Sequence, residues 1–292
     1  MKQLKYYLAA IVLLFAVLKV CGDKMPRLSE AFPAGQGQET ETSRNTDTDE
    51  NGRKGKRALR STDLSDNVEI PAPLTRSGEI ILTRKAYTVS YDPSTRLPNW
   101  VAWHLTADHI DGNYSRGGMK FHEDKEVPEP RATDEDYKGS GYDRGHMCPS
   151  GDNKWDADAQ WESFYLTNAC PQHHGLNRGD WNEMEQQCRE WAKRMGDIYI
   201  VCGPVLFKGK HKTIGKNRVV VPEAFFKVVL CLRGTPKAIG FIYRNTDGDR
   251  PKGDYVNSVD QVERVTGIDF FPSLPDDVEN KVEAEAKLED WY

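Results

Sequence analysis

Long apolar runs are nearly absent from this chain of 292 residues. Only Tyr6–Leu18 runs without a charge, so a multi-span membrane protein is excluded. An excess of positive charge is also missing. The formal net charge is -5, unlike the basic surface of a protein that coats nucleic acid passively. Residues 276–292 carry seven carboxylates and two lysines, which equals the net charge of the whole chain and leaves residues 1–275 neutral. An anionic substrate must therefore be held by a few placed cations or a metal, not by a global field. Internal repeats are absent, and aromatic residues are scarce between 23 and 70. With 10% aromatics overall and seven Trp, the rest of the chain has the means to build a core.

The single apolar run follows Lys2 and Lys5. At 1.5 Å per residue it reaches about 20 Å, short of the roughly 30 Å hydrocarbon core. Residues 1–22 therefore read as a signal peptide. Cys21, before Gly22 and Asp23, also resembles the end of a bacterial lipoprotein signal, in which that Cys is lipidated and tethers the protein to a membrane. Secreted, periplasmic and lipid-anchored destinations all remain open. Residues 23–70, including GQGQETETSRNTDTDENGRKGKR, are too polar to bury a core and read as a disordered linker. Export permits disulfides, which favours pairing among Cys148, Cys170, Cys188, Cys202 and Cys231. Without Cys21 the count is odd, so one thiol stays free or pairs between chains.

The folded region is expected over 71–275, with an acidic helix or tail over 276–292. Strand signals cover Gly78–Asp92, Asn99–Asp108, Ile198–Phe207, Val219–Arg233 and Ala238–Asn245. One helix is clear over Asp180–Arg194, where Trp181, Met184, Cys188, Trp191 and Met195 form an apolar stripe. Asp180 and Glu183 fit a capping box at its start. Shorter helices are expected over Ser258–Thr266 and Asp276–Leu288. The fold class is α+β, with a mixed or antiparallel sheet core and flanking helices.

Two stretches carry chemistry. GYDRGHMCPSGD (Gly141–Asp152) places Asp143, Arg144 and His146 together. FYLTNACPQHHGLNRGDWNEME (Phe164–Glu185) places Asn168, Asn177 and Glu185 around the start of the clear helix. With LPNWVAWHLT, CGPVLF, VVVPEAFFKVVL and GIDFFPSLPD, their order and spacing resemble the DNA/RNA non-specific endonuclease family over about residues 70–280. These are sugar-non-specific nucleases with a ββα-metal site. The resemblance implies a metal-dependent endonuclease that cuts DNA and RNA with little sequence or sugar preference, and the signal at residues 1–22 adds the expectation of export.

The residue types suit those roles. An imidazole with an ordinary pKa near 6.5 is free base at neutral pH, so His146 can deprotonate water, and activity should fall as the ring gains a proton. Mg²⁺ keeps most of its waters, so one amide oxygen can anchor it; the resemblance puts that ligand at Asn177, with Mn²⁺ as another possible ion. Glu185 lies eight residues on, about 12 Å along a helix, too far to share the ion directly. The resemblance gives it a metal-bound water to hold. Arg144 is the first phosphate contact and Arg116, in GNYSRGG, the second. Asp143 and Asn168 are expected to position the site. Lys208, Lys210, Lys212, Lys216 and Arg218 form a basic stretch that could follow a phosphate backbone. Rival readings are a zinc site at Cys148, Cys170, His173 and His174, a tethered module that binds nucleic acid without cutting it, and a narrower phosphodiesterase.

Overall fold

Strands that are apolar on both faces imply a sheet covered on both sides, and that is the architecture found. The computed structural model describes residues 67–75 and 78–292. The expected export segment, Cys21 and nearly all of the linker lie outside the described residues. Among the described residues, eleven strands occur in chain order: β1 Ile80–Thr83, β2 Thr88–Asp92, β3 Leu97–Thr106, β4 Asp143–His146, β5 Ala169–Gln172, β6 Asp197–Val205, β7 Thr213–Ile214, β8 Val219–Val220, β9 Ala224–Cys231, β10 Lys237–Arg244 and β11 Val256–Asn257. Seven of them form one antiparallel sheet in the order β1-β2-β3-β6-β9-β10-β11. The class is α+β. The apolar run Val219–Arg233 splits at Pro222, whose nitrogen cannot donate to a ladder, so β8 instead joins β7 in a separate small hairpin.

Strand alternation sorts the two covering layers. On one face, the long helix Asp180–Met195 lays Trp181 against Phe225 and Tyr243, at ring-centroid distances of 5.6 and 5.8 Å. Its Trp191 packs on Phe241 and Trp291, at 6.3 and 4.6 Å. On the other face, Phe226 meets Phe270 at 5.5 Å, and Val262 of helix Val259–Thr266 sits over Gly240. The long helix ends at Gly196, whose φ of 96° suits glycine alone.

Three expectations change. The capping box at Asp180 and Glu183 does not form, because Gly179 occupies the cap position. Asp180 turns to tertiary partners instead and accepts from the Asp249 amide at 2.9 Å and from the Tyr255 hydroxyl. The last helix is shorter than expected: it covers Asp276–Ala284, and a 3-10 turn follows at Leu288–Trp291. That turn packs against the body, with Trp291 buried, its carbonyl accepting from Arg194, and the Asp290 carbonyl accepting from Lys237 at 2.6 Å. Finally, Cys148, Cys170, Cys188, Cys202 and Cys231 are all free and buried, so the expected pairing is absent. They sit on separate elements and serve as small apolar core residues.

Candidate active site

The DRGH tetrapeptide is itself β4, paired antiparallel with β5. A short helix, His174–Arg178, and then the long helix follow β5. The hairpin needs glycine at 145, since a Cβ there would lie 2.2 Å from the Gln172 Oε1. Alternation along β4 puts Arg144 and His146 on one face and Asp143 on the other.

His146 sits among aromatic rings, 4.5 Å from Phe121 and 5.0 Å edge-on to Phe164. Its Nε2 is buried and has no partner among the described residues. Burial, helped by the Arg116 charge, pushes the ring down from 6.5 to about 3. The expected titration near neutrality is thereby corrected: the aromatic enclosure keeps the ring in its free-base form throughout the physiological range.

Asp143 accepts from His174 Nδ1 at 2.9 Å and from the Asn177 amide nitrogen at 3.0 Å. With its NH₂ group so engaged, Asn177 keeps Oδ1 free of any donor among the described residues, as a hard oxygen ligand. The helices break at Gly179, so Asn177 and Glu185 stand on separate ones. Past the break, the Trp181 indole donates to the His146 carbonyl at 3.1 Å and fastens the long helix to the hairpin. Glu185 follows by another four residues. Asn177 and Glu185 thus lie on either side of the point where helix and hairpin meet. Burial pushes the Glu185 carboxyl up to about 7, against the pull of Lys227, Arg189 and Arg116. Arg116 is exposed and reaches over the Phe164 ring at 5.7 Å. Its charge acts on both His146 and Glu185, so it is an exposed cation shared by the two groups.

The Arg144 guanidinium, assigned above to phosphate, is turned to Asp134. Its Nε lies 2.7 Å from Asp134 Oδ1, and it donates to the Asp134 carbonyl at 2.9 Å. Asn168 clamps the loop after His146: its backbone carbonyl accepts from the Met147 amide at 2.9 Å, and its Oδ1 from the Cys148 amide at 2.9 Å. Its Nδ2 donates to the carbonyls of Cys148 and Ser163, both at 2.8 Å. In the basic stretch, Lys212 lies over the Tyr142 ring at 4.7 Å, beside the start of β4. Lys208, Lys210, Lys216 and Arg218 are exposed. Cys148, Cys170, His173 and His174 do not gather as a metal site among the described residues.

Behind Glu185 lies a charged network that the sequence reading missed. Lys227 on β9 is 1% exposed, with Nζ 4.4 Å from the Trp181 ring centre and 5.2 Å from that of Trp103. Arg189 pairs with the buried Asp152 at 2.9 Å, and Asp152 also accepts from Trp103 at 3.1 Å. Lys227 was visible as the single charge in the apolar run AFFKVVLC.

A family model described as DNA/RNA non-specific endonuclease matches residues 65–277. The chain is 38% identical over 207 residues to the mitochondrial nuclease EXOG of Xenopus laevis, covering 65% of this chain and 58% of that protein. It therefore spans less than two thirds of that relative's length. It is 38% identical over 210 residues to nuclease C1 of Cunninghamella echinulata var. echinulata, covering 66% of this chain and 83% of that one. A solved EndoG/EndoGI complex superimposes with a TM-score of 0.65 at 30% identity, covering 68% of this chain and 88% of the matched one. A strand pair carrying DRGH, two successive helices behind it carrying Asn177 and Glu185, and a family match across this whole body lead to one assignment: the chain belongs to the DNA/RNA non-specific endonuclease family.

Proposed function

We propose that this chain is an exported, metal-dependent endonuclease that hydrolyses phosphodiester bonds in DNA and RNA with little preference for base or sugar. The observation that carries the reading is the His146 ring, kept neutral with Nε2 buried and unpartnered, on a hairpin fastened to the helices of Asn177 and Glu185. The free Oδ1 of Asn177 suits a hard cation, Mg²⁺ or Mn²⁺. Such an ion, when bound, neutralises phosphate charge and stabilises the leaving oxygen.

The protein groups do the rest. The free-base His146 ring takes a proton from a water whose oxygen bonds to phosphorus, while the P–O bond to the leaving oxygen breaks. Arg116 binds the incoming phosphate. Its positive charge is then partly cancelled, which returns basicity to the ring where it is needed. Glu185 orients water. Asp143 fixes the Asn177 amide, and Asn168 fixes the loop that follows the base. A cleft that grips phosphate in this way has little means of sensing the 2′-OH. Export, with or without a lipid on Cys21, rests on residues 1–22 alone.

The test is plasmid nicking beside RNA digestion, with Mg²⁺, with EDTA, and with His146→Ala. Loss of about 10²–10⁴ in rate is expected for His146→Ala. Cleavage that survives the substitution, or binding without cleavage by the unaltered protein, would overturn the reading.

A further inference from the structure

On the sheet face opposite the long helix, two helices bring three carboxylates together. Helix Val259–Thr266 is tightly fixed: Ser258 and Gln261 form a capping box at its start, and Gly267 closes it in the left-handed conformation. Val259 and Val262 are buried, so the helix cannot easily rotate. Asp260 and Glu263, three residues apart, share one face of it. Glu283 faces them from helix Asp276–Ala284.

One oxygen of each of the three carboxylates lies within 4.8 Å of the others. Glu283 is 7% exposed, and its Oε1 is buried without a partner among the described residues. A carboxylate oxygen has no reason to be buried beside two others unless a proton or a cation joins them. Among the described residues, no Lys or Arg pairs with Asp260, Glu263 or Glu283. Asp269 and Glu279 add further negative charge close by, and burial together with these neighbours pushes the Glu283 carboxyl up to about 9. Glu263 also accepts from the Phe270 amide at 2.8 Å, so its carboxylate is oriented in advance.

We propose that Asp260, Glu263 and Glu283 form a calcium site that clips the two helices together, separate from the nuclease centre. Oxygen-only donors select a hard cation over zinc or copper. Calcium bonds oxygen at about 2.3–2.6 Å in irregular, high coordination, whereas magnesium demands strict octahedral order at about 2.0–2.1 Å and keeps most of its waters. Three carboxylates from two helices, with oxygens within 4.8 Å of one another, suit the less exacting ion and leave room for water. The ion would stabilise the fold and take no part in cleavage.

The test uses the full chain, stripped with EDTA, in an Asn177→Ala background so that the nuclease centre contributes nothing. Adding about 5 mM CaCl₂ should raise Tm by about 4 °C, and the same amount of MgCl₂ clearly less. Glu263→Gln and Glu283→Gln, each made in that background, should abolish the calcium response. Glu263→Gln with Asn177 intact should cut plasmid in Mg²⁺ within about twofold of the unaltered protein, which certifies its fold. If Glu283→Gln fails to fold, Asp260→Asn replaces it in the same test. A calcium shift that persists in the Gln variants, no shift in the Asn177→Ala protein, or equal shifts with Mg²⁺ would overturn the proposal.

Discussion

Replacing Arg116 with Gln should make His146 more basic without touching the imidazole. The ring is held at about 3, against an ordinary value of 6.5, by burial first and by Arg116 second. That difference corresponds to about 5 kcal/mol against charging the ring. Arg116→Gln removes the smaller share, so the ring should titrate higher yet stay below 6.5. Phe121→Ala opens the aromatic wall 4.5 Å from the ring and should move it further. The assay is a ¹³C/¹⁵N histidine titration by NMR on the metal-free protein. The same shift predicts a stability slope. The unfolded ring takes its proton near 6.5, whereas the folded ring resists until about 3. Its contribution to stability is full above 6.5 and is lost as pH falls toward 3, at about 1.4 kcal/mol per pH unit. His146→Asn removes that dependence. Relative to the unaltered protein, the variant should therefore gain up to about 3 kcal/mol between pH 7 and pH 4 in urea unfolding. A ring that titrates at 6.5 or above, or that ignores Arg116→Gln, would refute the reasoning.

Three further outcomes follow from the same structure. Burial holds the Glu185 carboxyl up to about 7, so its charged form grows as pH rises through that value; kcat/KM should climb through about pH 7, and Glu185→Gln should lose both that limb and about 10²-fold of the rate. Lys227 is the foremost group pulling Glu185 down, so Lys227→Met should move the limb above 7; a lower Tm with an unmoved limb would make Lys227 merely structural. All five described thiols are free and buried, so a thiol reagent should react with them only after denaturation, and a reductant should leave Tm unchanged within about 1 °C.

Much of the fold was legible because its strands obey simple patterns. The run from Ile198 is apolar but for Gly203, and those from Asn99 and Ala238 are apolar apart from a few polar residues, such as His104 and Thr106 in the first. Strands covered on both faces need such runs, and each became an inner strand of the sheet. DRGH and the Asn177–Glu185 segment were legible for a different reason: hairpin and helices are close in sequence, so spacing carries geometry. One misreading arose where a side chain had a choice. Asp180 could cap its own helix or bind the chain near Asp249 and Tyr255, and the distant partners prevailed. Arg144, expected to meet phosphate, rests on Asp134 beside the Tyr137 ring. Nothing in local sequence ranks such alternatives.

The electrostatics of the site were illegible for a related reason. The basicity of His146 depends on Phe121, Phe164 and Arg116, and that of Glu185 on Lys227, on Asp152 and on Arg189 of its own helix; apart from Arg189, each stands on a different element from the group it tunes. The chain therefore divides the task in two. Hairpin and helix, contiguous in sequence, set where the reacting groups stand. Residues brought in by loops, by the sheet and by the helix's next turn set how readily those groups hold a proton. Substitutions in the second set should leave the site assembled while shifting the pH at which it works, whereas Trp181, which bonds the His146 carbonyl and also covers Lys227, belongs to both sets. Losing Trp181 should therefore disturb geometry and basicity together, and Trp181→Phe, which keeps the ring face but not the N–H, separates the two.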